Sequence, residues 1–291
     1  MVMSFGGFLA VDWGTTNRRV FVIEDGRVAH TERDGRGVTA VQDFAGEAAA
    51  IRAHFGDLPM LMAGMVGSNI GWRLAPYVAA PAGIAEVAAG LLRIDERTAI
   101  VPGVSTLEDG RPDVMRGEEV QFLGAVAAGL VPGDSLLVQP GTHCKWAKMA
   151  GGRIAGFTTA MTGELFALLR QHGLLAAQLG GDVTPSAAFL EGVEEGRRQD
   201  LAASLFGIRA AGMLGQRDDA DAASYASGLL IGSDVAARLA TAGHDTVHIL
   251  ADQMLGELYI TAIEAHNRRA LLVDSHTAFV AGILAIGAQF A

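Results

Sequence analysis

The stretch Val11-Asp12-Trp13-Gly14-Thr15-Thr16-Asn17-Arg18-Arg19 lies between two apolar runs, Phe8-Leu9-Ala10 and Val20-Phe21-Val22-Ile23, the second closing at Asp25-Gly26. It reads as strand, tight turn, strand. Glycine lets a backbone come close to a ligand. Two threonines set hydroxyls beside exposed N–H groups, a concavity suited to phosphate. An aspartate one step away can hold Mg²⁺, usually through water. The same residues also make an ordinary hairpin, whose Gly and Thr serve only the turn. The rest of the chain has to choose between the two.

A chain of 291 residues has room for two domains or one large one, and half of its residues are hydrophobic, so it is globular and not disordered. A net charge of -10 argues against a nucleic-acid binder, although amides and a few placed cations can still hold an anion locally. A single cysteine, Cys144, excludes an internal disulfide and a Cys-rich metal site. Met1 to Gly7 lacks the basic start and long apolar stretch of a signal peptide. The apolar end, Ala278 to Ala291, is too short and too rich in Ala and Gly for a membrane span. A cytoplasmic protein without membrane contact is expected.

The apolar pattern predicts strands at 28–33, 59–65 and 98–104, helices at 44–55 and 84–92, and a helix opening within 113–119 and running to Leu130. The layout then restarts. Asp134 to Gln139 is a strand, Pro140-Gly141-Thr142-His143 its turn, Lys145 to Met149 a second strand, Gly151-Gly152 a second turn and Arg153 to Thr159 a third strand. This repeats the opening order of strand, Gly-Thr turn, strand, Gly turn, strand, a coarse internal duplication without repeated residues. Helices are expected at 163–172, 187–201, 225–242 and 257–265, with short strands at 247–250 and 270–273 and polar loops at 180–185 and 215–221. The domain boundary is expected near 112–120. Two such modules suggest two similar lobes facing one nucleotide; two unrelated hairpins in a long α+β chain would read the same way.

The Asp12 to Asn17 turn resembles the first phosphate motif of the actin-like ATPase superfamily, which includes hexokinase, glycerol kinase and Hsp70. Within it the chain is similar to the 2-dehydro-3-deoxygalactonokinase family. The likeness is carried by Val11 to Asn17; by Ala63-Gly64-Met65-Val66-Gly67-Ser68 with Gly71-Trp72 and Pro76-Tyr77; by Arg116-Gly117-Glu118-Glu119-Val120-Gln121; by Pro140-Gly141-Thr142-His143-Cys144-Lys145-Trp146; and by Met161 to Leu169. Asp-x-Gly-Thr-Thr alone marks the superfamily, and its combination with Pro-Gly-Thr-His-x-Lys-Trp is specific.

The resemblance implies an α/β, two-lobed actin-like ATPase (ribonuclease H-like) fold with an interdomain nucleotide cleft. Residues 1–115 would form an N-terminal lobe with the first phosphate motif and the sugar-acid site. Residues 116–291 would form a C-terminal lobe with the second phosphate motif and the adenosine side. It implies transfer of the γ-phosphoryl of ATP to the terminal (C6) hydroxyl of 2-dehydro-3-deoxy-D-galactonate, in galactonate catabolism ahead of an aldolase. ATP and Mg²⁺ are then the expected cofactors, a small sugar acid the expected partner, and a homodimer is left open. The rivals are a kinase for another sugar acid such as 2-dehydro-3-deoxygluconate, a silent sugar or ATP sensor on the same fold, and a protein-binding ATPase.

Roles follow from phosphoryl transfer, which is mostly positioning and charge stabilisation. Asp12 would hold hydrated Mg²⁺. Gly14, Thr15, Thr16 and Asn17 would contact the phosphates from one side, and Gly141, Thr142, His143 and Lys145 from the other. The acidic residue that acts as base in the sugar-kinase branch falls on Glu118, with Glu119 as runner-up, although acidic residues in a first helical turn also favour the macrodipole. The substrate carboxylate would meet Arg18 or Arg19, since arginine offers a forked donor set; Gly67, Ser68 and Trp72 of the loop 64–72 would contact the sugar. Asn69-Ile70 and Ala251-Asp252-Gln253 depart from the expected polar pair and glycine-rich adenosine motif. Gly228 and Gly232 suit either an interdomain seam or helix contacts.

Overall fold

The computed structural model describes residues 7–108 and 110–289, so the leader reading at Met1 to Gly7 falls almost wholly outside it. In chain order the first elements are β1 (Gly7–Trp13), β2 (Arg18–Glu24), β3 (Arg27–Asp34), α1 (Phe44–Phe55), β4 (Met60–Gly64), β5 (Tyr77–Ala79), α2 (Ile84–Ala89), β6 (Leu92–Asp95), β7 (Thr98–Ile100), β8 (Gly103–Glu108), β9 (Arg111–Met115) and α3 (Glu118–Ala127). Then come β10 (Ser135–Gln139), β11 (Cys144–Ala150), β12 (Arg153–Ala160), α4 (Thr162–Gln171), α5 (Ala187–Gly196), α6 (Leu201–Met213), α7 (Asp219–Leu239), β13 (Thr246–Leu250), α8 (Gln253–Ala265), β14 (Arg269–Val273) and α9 (Ser275–Gly287).

The chain forms two compact units. The first takes the described residues of Met1–Asp134, Met149–Phe157 and Ser275–Ala291, the second Ser135–Lys148 and Thr158–Asp274. The expected division into 1–115 and 116–291 is therefore corrected: α3 and α9 both belong to the first unit. The reason is a glycine seam between these helices. A Cβ on Gly124 would collide with the Ala278 carbonyl and the Gly282 amide, and one on Gly282 with the Val120 carbonyl. Only side-chain-free positions allow so close an approach.

In the first unit the sheet order is β3-β2-β1-β4-β7-β6. β1 pairs antiparallel with β2 and parallel with β4, in a register that sets Asp12 opposite Arg19 and Ala63. β1 is apolar on both faces because it is central, with Leu9, Val11 and Trp13 fully buried. β3 is exposed along nearly its whole length, a charged edge strand that resists pairing with another chain. α1 packs Ala48 and Ile51 on this sheet and is capped by Asp43, whose carboxylate accepts from the Gly46 amide at 2.9 Å. The apolar run 98–104 divides at Val101-Pro102: β7 joins the large sheet, whereas β8 joins a small β5-β8-β9 sheet. Asp113-Val114-Met115, read as a helix opening, is the end of β9.

In the second unit the order is β12-β11-β10-β13-β14. Third, second, first, fourth and fifth strands thus follow one another as in β3-β2-β1-β4-β7. β10, β13 and β14 run parallel. Their core joins Leu136, Val138, Trp146 and Ile249 to Phe189 and Val193 of α5, Ile231 and Val235 of α7, and Tyr259 and Ile263 of α8. α5 and α7 meet through Gly192, Gly196, Gly228 and Gly232, whose added Cβ atoms would each strike backbone of the facing helix. Gly228 and Gly232 are therefore helix-contact glycines. Among the described residues no helix is long and apolar enough to cross a membrane.

Candidate active site

The first turn is held by its carbonyl side. Gly14 N donates to Asn17 O at 2.9 Å, Val38 N to Gly14 O at 3.0 Å, Thr39 N to Thr15 O at 3.2 Å and Gly37 N to Thr16 O at 3.3 Å. A side chain on Gly37 would run into the Thr15 carbonyl. Thr15, Thr16 and Asn17 are left exposed on the outer side, and the Asn17 amide donates to Thr16 Oγ1 at 3.0 Å. With Asp12, Arg19 and Arg33 they line a small polar cavity of about 170 Å³.

Asp12 stands at the floor of that cavity. Burial pushes its pKa from 3.8 to about 6; nearby Glu118 pushes the same way, while Arg19 and Arg33 oppose the rise. Three backbones converge there without side chains between them. Gly64, at the end of β4, has φ 92 and would carry a Cβ only 2.9 Å from Trp13 O. Gly117, at the entry to α3, has φ 108 and would place its Cβ 3.2 Å from Gly64 Cα. Both conformations favour glycine. The result sets the first residue of α3, Glu118, beside Asp12.

The two candidate bases part company here. Glu118 is half-buried and accepts from Arg116 N at 3.0 Å. Glu119 is fully buried, and its Oε2 accepts from Gly117 N at 2.7 Å. Desolvation first, then the Glu118 charge, raise its pKa from 4.5 to about 8. Glu119 thus points into the core, whereas the half-buried Glu118 is the one that faces Asp12.

Arg18 is placed differently from the sequence expectation. Only 6% exposed, it donates to Asp34 at 2.6 Å and to Glu47 at 2.9 Å and lies 5.1 Å over the Trp13 ring. Arg36 adds a second grip on Glu47. Both terminal nitrogens of Arg18 are thus committed to ion pairs, and its role as carboxylate anchor is corrected on that ground. Arg19, on the opposite face of β2, is the one aimed at Asp12. Ser68 spends its hydroxyl on Met65 O at 2.7 Å, and Trp72 packs on the first-unit core. Gly67 touches a residue whose role the sequence reading left unassigned: its Cβ would lie 2.9 Å from Arg116 Nη1. Arg116 donates through Nη2 to Ala75 O at 2.8 Å and lies 4.4 Å over the Tyr77 ring, while its Nε and Nη1 are buried without a hydrogen-bond partner. Its position directly before Gly117-Glu118 was the available signal.

In the second unit, Gly163 at the start of α4 abuts the Gly141 carbonyl so closely that no Cβ fits. Glu164 N donates to Thr142 O at 2.9 Å, and the Glu164 carboxylate meets His143 Nε2 at 2.6 Å. Lys145 is 6% exposed and donates to Thr159 Oγ1 at 2.8 Å. Cys144 faces the other way, fully buried, its thiol pushed well up by burial and by Asp234; such a thiol is inert. Asp252 caps α8 through Leu255 N at 2.9 Å, taking the place of the expected glycine turn. A cavity of about 200 Å³ opens beside Gly141 and Gly163.

Two sheets of one strand order, an aspartate closing the first strand and a Gly-Thr turn in each sheet together define a phosphoryl-transferring enzyme on the actin-like ATPase fold. The model of the family described as 2-keto-3-deoxy-galactonokinase matches residues 12–286, and the chain belongs to that family. A Rhizobium meliloti (strain 1021) protein named probable 2-dehydro-3-deoxygalactonokinase DgoK1 is 38% identical over 296 residues, 96% of each chain. The 2-dehydro-3-deoxygalactonokinase of Escherichia coli (strain K12) is 36% identical, over 96% of this chain and 97% of its own. A crystal structure from Sinorhizobium meliloti, provisionally described as the same kinase, superposes with a TM-score of 0.90 at 36% identity, covering 96% of this chain and 98% of that one. The Acidaminococcus fermentans (R)-2-hydroxyglutaryl-CoA dehydratase component A shares the fold alone, with a TM-score of 0.52 at 11% identity over 96% of each chain.

Proposed function

We propose that this chain is a cytoplasmic kinase that transfers the γ-phosphoryl group of ATP to the C6 hydroxyl of 2-dehydro-3-deoxy-D-galactonate. The observation that carries the residue roles is the Gly64–Gly117 approach, which sets Glu118 beside Asp12 at the first phosphate turn. Glu118 orients the sugar hydroxyl and takes its proton late, as the phosphoryl group arrives. Asp12 suits Mg²⁺. A carboxylate desolvated enough to reach a pKa of about 6 regains its charge beside a cation, and Mg²⁺ characteristically takes one or two carboxylates plus substrate phosphates. When bound, the ion neutralises phosphate charge. Thr15, Thr16 and Asn17 bind phosphate through the first turn, and Gly141, Thr142 and His143 through the second; Lys145 adds positive charge.

The substrate carboxylate goes to Arg116. Its two unpaired buried N–H-bearing nitrogens are costly unless a ligand or water meets them. Gly67 and Tyr77 then flank the carboxylate end. The test is sugar-dependent ADP release with Mg-ATP, in wild type and Glu118→Gln. Wild type turns over the galactonate-derived acid and the variant loses about 10²- to 10⁴-fold in kcat. A variant with wild-type kcat removes Glu118 from the base role, and ATP turnover indifferent to the sugar removes the kinase reading.

A further inference from the structure

The cavity beside the second phosphate turn has an unusual lining. Its walls are Phe166, Val183, Leu230, Ile231, Leu255 and Leu258, and its mouth is the backbone of Gly141 and Gly163. Its volume, about 200 Å³, suits a planar aromatic ring system and little more. Three hydroxyls are the polar side-chain groups of the lining. Tyr259 Oη is already engaged with Cys144 and, at 3.3 Å, with Thr162 Oγ1. That leaves Ser227, on the buried face of α7, as the hydroxyl turned to a guest. No carboxylate, carboxamide, guanidinium, ammonium or imidazole is among the lining residues.

The kinase reading already expects the adenosine side of the donor in this unit, and we propose that this cavity, as its seat for the base, does not tell one purine from another, so that GTP and ITP serve beside ATP. The inference rests on the kinase reading and extends it to the donor. An apolar cavity contiguous with a phosphate turn takes the apolar part of the same ligand. Adenine shows an amino group where guanine and hypoxanthine show a carbonyl. A fixed amide or carboxylate would favour one of these edges, whereas a hydroxyl both donates and accepts and meets either. Apolar pockets reject near-isosteres by only about 10²-fold, while sites with buried fixed hydrogen-bond partners reach about 10⁴- to 10⁵-fold. The chemistry is unchanged. The bond from the γ-phosphorus to the bridging oxygen breaks, the bond from O6 forms, the hydroxyl proton passes to Glu118, and the nucleoside diphosphate leaves.

The experiment compares ATP, GTP and ITP at saturating sugar acid and Mg²⁺, with the sugar phosphate itself quantified by mass spectrometry. The expected kcat/KM values for GTP and ITP lie within about 100-fold of that for ATP; a larger preference for ATP overturns the inference and leaves the kinase reading intact. Loss of turnover with all three donors takes both down. In parallel, Leu255→Trp, which fills the cavity from the start of α8, is expected to raise KM for all three donors by about tenfold or more while the sugar KM holds. Unchanged donor KM values in a variant that still turns over place the base elsewhere and overturn the assignment.

Discussion

Glu119 gives the sharpest quantitative test. Its carboxyl is fully buried, with one oxygen held by Gly117 N and the other without a partner, and its pKa rises from 4.5 to about 8. Between those two values the folded chain keeps a proton that the unfolded chain has shed. Stability therefore falls as pH rises from about 4.5 to about 8, and is fully present below that window. The gap caps the loss at about 5 kcal/mol, a large share of a typical domain's stability. Glu119→Gln keeps a carbonyl oxygen for Gly117 N and carries no titrating proton. The variant is expected to match wild type near pH 5 and to exceed it by a few kcal/mol at pH 8. Urea denaturation at pH 5, 6.5 and 8, followed by tryptophan emission, measures the difference; Asp12, shifted to about 6, is common to both proteins and largely cancels. Parallel pH profiles, or a variant weaker than wild type at pH 8, refute the reasoning. The same protein tests the choice of base, since kcat at neutral pH should remain within about tenfold of wild type.

Arg116→Gln is expected to raise the KM for the sugar acid by about 10- to 100-fold, the value of one or two charge-assisted hydrogen bonds, while the KM for ATP is unchanged. Retained discrimination between the acid and its neutral amide would remove Arg116 from carboxylate binding. Gly124→Ala drives a methyl into the Ala278 carbonyl and the Gly282 backbone, and should cost about 1–3 kcal/mol or more in the first unit; an unchanged urea midpoint would mean that the α3–α9 seam is not tightly packed.

The repeated strand–turn–strand layout was legible because both its signals are local. Alternating or continuous apolar runs mark strands, and Gly-Thr turns mark what joins them, so Asp12 to Asn17 and Gly141 to Lys145 could be placed from residues alone. What escaped was set by distant partners. Nothing near Arg18 announces that Asp34 and Glu47 will claim its guanidinium. Glu118 and Glu119 are neighbours in sequence, and only the turn of α3 sends one toward Asp12 and the other inward. The run 98–104 looks like one strand, but Pro102 lacks an amide for the ladder, and the chain changes sheets there. α6, whose one buried apolar residue is Ile208, and α9, rich in Ala and Gly, have weak helical signatures of their own; tertiary contact stabilises such helices more than intrinsic propensity does.

The chain's course has a consequence for how the protein is made. The first unit is begun by the N-terminal strands and completed by α9, with most of the second unit synthesised in between. At about 5–20 residues per second, the face of α3 around Val120 and Gly124 leaves the ribosome on the order of ten seconds before the helix that covers it. The second unit waits nearly as long, since β10 must meet β13 and β14 from the far end of that unit, but its last strand leaves the ribosome just ahead of α9. The α3 face is the last to be covered, exposed to chaperones and proteases in the interval, and a premature stop near residue 275 would take α9 from the first unit while leaving every strand of the second.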